Sequence, residues 1–199
     1  MKYHHGNLKE ELISSACSMC EANGHDHMSL RSIAKEANVS QTAPYRHFKT
    51  KEDLLAEVSK RGFEKLAEIL NQATTQNENM TAKERFIEMG FAYVKFGLER
   101  KNTYDLMHSP IIDKAEFPEL LEAASGAFDE LIKIIAELNP GISDADLGRQ
   151  CIRHWAQVHG LVGLIGDTKI DESIGTNAGD AMSIVTKDLR SFLTMALDF

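Results

Sequence analysis

Apolar residues recur at three- and four-residue spacing along nearly the whole chain, and no segment alternates at period two for long enough to make a strand. A chain patterned this way buries helical stripes, so the expected fold is all-α with about nine helices. Leu8, Leu12, Ile13, Ala16 and Cys20 share one stripe, and Gly24 supplies its C-terminal stop. Ser29 is an N-cap for a helix over 30–37, whose Leu30, Ile33, Ala34 and Ala37 form one face. Asn38-Val39 reads as a turn, because Asn tolerates the left-handed conformation. Ser40 is expected to cap a short third helix, and a fourth begins near Lys51 with Leu55, Val58, Gly62, Leu66 and Ile69 in register.

The polar run Thr74 to Asn79 is the best linker. Beyond it, Thr81 with Glu84 is a capping box for a helix to about Arg100. That helix is apolar on two faces, through Phe86, Met89 and Tyr93 on one and Phe91, Val94 and Leu98 on the other, so it should lie centrally in a bundle. Further helices are expected over 102–108, 118–138, from Ser143 to about Gly166, and from Asn177 to Ala196.

A chain of 199 residues that is 43% apolar and 26% charged can bury a core. It has no apolar run near the roughly 20 residues of a bilayer span, and no signal-peptide core comes after Met1 to Gly6. Three cysteines make no disulfide framework; a reducing cytoplasm and no membrane partner are expected. The formal charge of −8 argues against a polyanion partner until its distribution is considered. Residues 1–51 hold seven Lys/Arg against five Asp/Glu, whereas residues 52–199 hold fifteen against twenty-five. Only the N-terminal quarter suits a polyanion.

Within that quarter lies "SQTAPYRHF", residues 40–48. Arg46 and His47 would need partners in a core, so this stretch is better suited to a surface that touches something. Two short helices joined by three or four residues, with an amphipathic helix before them, have the spacing of a helix-turn-helix unit. Pro44 in the first turn of the third helix costs little there and stiffens it. Gln41, Thr42 and Ala43, capped by Ser40, are then the residues placed for base edges; Gln suits adenine and Thr a thymine methyl. Tyr45, Arg46, His47 and Lys51 suit the sugar-phosphate backbone, and Arg31 could reach a groove edge. Phe48 is a core plug. The competing reading has Tyr45 and His47 capping a helix end and Arg46 merely solvated.

Residues 29–55, "SLRSIAKEANVSQTAPYRHFKTKEDLL", resemble the DNA-binding motif of the TetR family of bacterial transcriptional regulators. Ile33, Ala34, Ala37, Val39, Ser40, Tyr45, His47, Phe48, Lys51 and Leu54 or Leu55 fall on its pattern in order and without a gap. Ser29, Asn38 and Pro44 depart from the usual Thr, Gly and Leu. "CIRHWAQVHGLVGLIG", residues 151–166, resembles the segment that names the WHG type of C-terminal domain, through Trp155, His159 and Gly160. The resemblance implies a three-helix helix-turn-helix DNA-binding domain over 1–50. A helical ligand-sensing and dimerisation domain comes next over 51–199, joined to it by the helix from 51 to about 73. It further implies a homodimer on double-stranded DNA at a pseudo-palindromic operator, as a repressor released by a small-molecule effector, with no cofactor.

Cys17 and Cys20 form a C-x-x-C with His25 and His27 shortly after it, which raises a zinc or redox site. Both cysteines fall where the family pattern is apolar, and free Cys commonly behaves as a small hydrophobe. Neither His108-Ser109 nor His159 shows a partner arrangement for hydrolysis, so the chain is not expected to be an enzyme. Phe91, Tyr104, Met107, His108, Phe128, Trp155 and His159 are candidates for an effector pocket, or plain core. Gly160, Gly163 and Gly166, with a final stripe of Ala178, Met182, Val185, Leu189, Phe192 and Ala196, point to dimerisation through the last two helices, or to a last helix that closes the monomer. A rival from another class is a small-molecule-binding helical protein or enzyme with a non-functional DNA-binding domain.

Overall fold

The computed structural model describes residues 8–76, 79–166 and 183–195. Among them every regular element is helical and none is a strand, as the three- and four-residue periodicity requires. In chain order the helices are α1 (Leu8–Asn23), α2 (Leu30–Glu36), α3 (Lys51–Thr75), α4 (Ala82–Glu99), α5 (Lys101–His108), α6 (Pro118–Leu138), α7 (Asp144–Gly166) and α8 (Leu189–Met195). Three-residue 3₁₀ turns lie at Pro44–Arg46 and Lys114–Glu116, and residues 183–187 are helical ahead of α8.

The ends of these helices are set by local chemistry. Gly24 adopts φ +74° and returns its N–H to the Cys20 carbonyl at 2.8 Å, closing α1. The Ser29 hydroxyl accepts the Ser32 N–H at 3.0 Å, and the Ser32 hydroxyl accepts the Ser29 N–H at 2.9 Å. Asn38 takes φ +54°, the left-handed turn expected of it. At α4 the Glu84 carboxylate accepts the Thr81 N–H at 2.8 Å while the Thr81 hydroxyl accepts the Glu84 N–H at 3.2 Å. Ser143 likewise caps α7 by accepting the Asp146 N–H at 3.2 Å.

The chain divides into two compact units, each discontinuous in sequence. One holds residues up to Lys65 together with Arg100–Ser125; the other holds Leu66–Glu99 together with Gly126 onward. In the first, Leu12, Ile13, Ala16 and Cys20 of α1 are buried, as are Ile33 and Ala34 of α2, Phe48 ahead of α3, Leu54, Leu55 and Val58 of α3, and Leu106 and Met107 of α5. Each of these larger side chains contributes about 1.5–3 kcal/mol by leaving water. In the second, α4 and α7 cross at Gly97, where a Cβ would sit 2.6 Å from Val162 Cγ1. The Trp155 indole N–H donates to the Tyr93 hydroxyl at 3.0 Å. Arg190 fastens the C-terminal helical segment to α4: its guanidinium bonds both oxygens of Glu88, at 2.6 and 2.9 Å, and lies 3.8 Å over the Phe91 ring.

Two expectations are corrected. The third helix is a turn over 41–43 leading into the 3₁₀ turn, so Ser40 is no helix N-cap. Pro44 has no N–H to return to the Ser40 carbonyl, which instead receives the Ala43 N–H at 2.9 Å, so the first α-type bond of a Ser40-capped helix cannot form. The polar run at 74–79 is not wholly linker: α3 continues through Thr75, with the Thr74 and Thr75 hydroxyls donating to the Asn71 carbonyl at 3.0 and 2.8 Å; residues 77 and 78 lie outside the described residues. In the last stripe, Leu189 is buried within the chain and does not face outward, and Leu193 packs toward Gly90 of α4. Val185 and Phe192 are partly exposed, and Ala178, Met182 and Ala196 lie outside the described residues.

Candidate nucleic-acid interface

The candidate surface starts from a hydrogen-bonded turn over residues 39–48. The Val39 N–H bonds the Ala34 carbonyl at 2.9 Å, and the Arg46 and His47 N–H groups return to Ala43 and Pro44 at 3.2 and 2.9 Å. Pro44 is less than 2% exposed and Phe48 is 2% exposed, so the turn is pinned to the core at both ends. Between and beside these anchors, Ser40, Gln41, Thr42, Tyr45, Arg46 and His47 are exposed, with Tyr45 at 51%. A half-exposed tyrosine beside an exposed arginine is surface available for a partner.

The structure sorts the sequence-derived residues. The Ser40 and Thr42 hydroxyls lie 3.3 Å apart and hydrogen-bond each other. Ala43 is buried, its methyl removed from the exposed set, because the turn brings it beside Pro44 under the surface. Arg31 is exposed near the start of α2, with Lys35 exposed one turn later. Lys51 is only half-buried, and its ammonium donates to the Asp26 carbonyl at 3.3 Å, so part of its charge is used inside the protein.

One device escaped the sequence reading. The Asp53 carboxylate accepts the N–H groups of Lys49 and Thr50 at 2.7 and 2.9 Å, and the Thr50 hydroxyl accepts the Asp53 N–H at 3.1 Å. This is a capping box at the start of α3, and the spacing Thr50-x-x-Asp53 carries its signature. It presents the exposed Lys49 next to the turn at 41–46, a cation that the spacing reading left out.

The effector-pocket candidates fall into two groups. Tyr104, Met107 and His108 are on α5 in the first unit, with the Tyr104 and His108 rings 4.6 Å apart and Phe63 5.8 Å from His108. Phe91, Phe128, Trp155 and His159 are in the second, where the Trp155 ring lies 5.9 Å from both Phe128 and His159. Phe91, Phe128, Trp155 and His159 are partly exposed, whereas Tyr104 and Met107 are buried.

All three cysteines are free thiols. Burial pushes the Cys20 thiol up to about 12, with the Glu21 carboxylate adding to the rise, and burial likewise raises Cys17 and Cys151. Among the described residues no three His, Cys, Asp or Glu groups come together as a metal site. At pH 8, iodoacetamide is therefore expected to label Cys20 and Cys151 only after denaturant is added; rapid labelling of either in the native protein, read by mass spectrometry, would contradict this.

Residues 12–58 match the family model described as bacterial regulatory proteins, tetR family, and residues 86–182 match the model of a tetracyclin repressor-like C-terminal domain. The chain belongs to the TetR family.

The exposed turn lies inside the first of those TetR matches and the Trp155 cluster inside the second. A curated relative, the uncharacterized HTH-type transcriptional regulator YobS of Bacillus subtilis (strain 168), is 24% identical over 109 residues, 55% of this chain and 56% of that protein. The match thus spans about half the relative's length. A solved protein of unknown function from Rhodococcus sp. RHA1 is 28% identical, with a TM-score of 0.74 over the whole of both chains. A TetR from Acinetobacter baumannii AYE, solved in complex with minocycline, shares the fold at a TM-score of 0.62, with 18% identity and 96% of each chain covered. Among the described residues of this TetR-family chain, no helix is long and apolar enough to cross a membrane.

Proposed function

We propose that this protein is a homodimeric transcriptional regulator that holds a pseudo-palindromic operator in the absence of a small-molecule effector and leaves it when the effector binds. The observation that carries the reading is the exposed set Gln41, Thr42, Tyr45 and Arg46 on a turn anchored by Pro44 and Phe48. Gln41 and Thr42 read base edges. Arg31, Tyr45, Arg46, His47 and Lys49 hold phosphates and set register. Lys51 is a weaker contact than its charge suggests, because it already serves the Asp26 carbonyl.

The effector sits against Phe128, Trp155 and His159, where aromatic rings meet partial exposure, and not against Phe91, whose ring Arg190 covers. The TetR solved with minocycline supports a fused-ring ligand as the first class to try. Dimerisation uses the outer face of α7, where Ile152 (54% exposed), Ala156, Gly160, Gly163 and Leu164 (46%) lie open, together with the exposed Ile184 and Met195.

The test is selection of bound fragments from genomic DNA at two salt concentrations. An enriched inverted repeat is expected. Arg46→Ala and Lys49→Ala should each weaken binding to all sequences and lower the salt slope by about 1. Gln41→Ala and Thr42→Ala should change the preferred bases. Unaltered binding by all four variants would remove the turn from the interface, and no enrichment at either salt would discard the regulator reading.

A further inference from the structure

The end of α1 is held by side chains eighty residues away. Of the last four carbonyls of α1, which have no partner within the helix, Cys20 receives the Gly24 N–H at 2.8 Å and Glu21 receives the Asn102 side-chain N–H at 2.8 Å. The Thr103 hydroxyl donates to the Glu21 carboxylate, and the Cys20 thiol lies 3.9 Å from the Asn102 carbonyl. Thr103 is 9% exposed, and only it and Ser59 are buried polar residues among the described ones. Asn102 also closes over Gly24, whose missing Cβ would lie 3.6 Å from its Oδ1.

The course of the chain beyond α1 gives this grip its importance. Gly24 turns the chain into the loop that leads to α2, and the far side of that loop is tied where Lys51 donates to the Asp26 carbonyl. From α2 the chain passes through the bonded turn at Val39 directly to Gln41 and Thr42. The orientation of the reading turn therefore depends on the last turn of α1, and Asn102 and Thr103 fix that turn.

We propose that Asn102 and Thr103 are positioning residues for DNA reading, acting through Glu21. They touch no DNA; they hold α1, the loop and α2 at the angle at which Gln41 and Thr42 meet base edges. The reading unit is then not complete in the first 65 residues, because part of it is supplied by α5. This role rests on the protein being a DNA-binding regulator.

The test uses the full-length protein, the enriched operator and a duplex of unrelated sequence. Thr103→Val and Asn102→Ala should each weaken operator binding about ten-fold, the scale of one lost hydrogen bond, while binding to the unrelated duplex at low salt stays the same. Thr103→Ser restores the donor and should restore affinity. The Thr103→Val loss should also shrink in a Gln41→Ala background, since a positioning residue has little left to position there. Operator binding equal to the parent protein's in both variants would overturn the proposal. So would parallel loss of operator, unrelated duplex and melting temperature, which marks a purely structural clamp. Absence of any operator for the parent protein would overturn the regulator reading itself.

Discussion

Gly97→Leu is expected to lower the melting temperature by roughly 10 °C, from about 3 kcal/mol of overpacking in a chain of this size. The sign of the effect comes from two opposed terms. Inside an exposed helix, replacing Gly by Ala gains about 1 kcal/mol, because glycine loses more backbone freedom on folding. At Gly97 that gain is overwhelmed. A Cβ there would lie 2.6 and 2.7 Å from the two γ-carbons of Val162 and 3.2 Å from its Cβ. Val162 is β-branched, fully buried, and has no spare rotamer inside α7, so the helices must part to admit even a methyl. Gly97→Ala should therefore destabilise too, by less, and Val162→Ala in the same chain should recover much of the loss. Calorimetry of the three variants decides it: a Gly97→Leu protein that melts with the parent would mean that α4 and α7 do not cross there.

Helix position was legible in this chain because the signals that set it are local. Gly24, Ser29, Asn38, Thr81 with Glu84, and Ser143 each act within four residues of themselves, and each performs the turn or cap that its side chain suggests. Residues 40–46 were harder because Pro44 obeys two rules at once. It is tolerated in a first helical turn, yet its missing N–H also removes the first α-type bond of a helix capped at Ser40, and here the second effect dominates. Ala43, just ahead of that 3₁₀ turn, is buried, which the sequence did not show.

The remaining gaps are long-range. Nothing within four residues of Asn102 or Thr103 says that their partner is Glu21, and nothing near Leu189 says that it is buried within the chain while Met195 faces out. Periodicity shows that a stripe is apolar. It does not show which surface covers it, and that limit applied to the last helix.

Gly160→Arg should turn the dimer into a monomer and weaken operator binding by at least about 100-fold, the scale of an avidity lost when two heads no longer bind as one. Gly160 and Gly97 are both glycines inside long helices, yet their surroundings are opposite. Among the described residues, a Cβ at Gly160 or Gly163 would meet nothing within 4 Å, so none of them requires glycine at either position. Each still carries the helix-propensity cost of about 1 kcal/mol. The same face of α7 leaves Ile152 and Leu164 about half exposed, an apolar surface that a second copy would cover at close approach. An arginine there brings bulk and a charge to the two-fold axis, where it would face its own symmetry mate. Stability of the separate chain should not fall, since helix propensity favours arginine over glycine by somewhat under about 1 kcal/mol, which distinguishes this variant from Gly97→Leu. Sedimentation equilibrium gives the mass and a DNA titration the affinity; a variant that remains dimeric with full affinity would place the interface on another face.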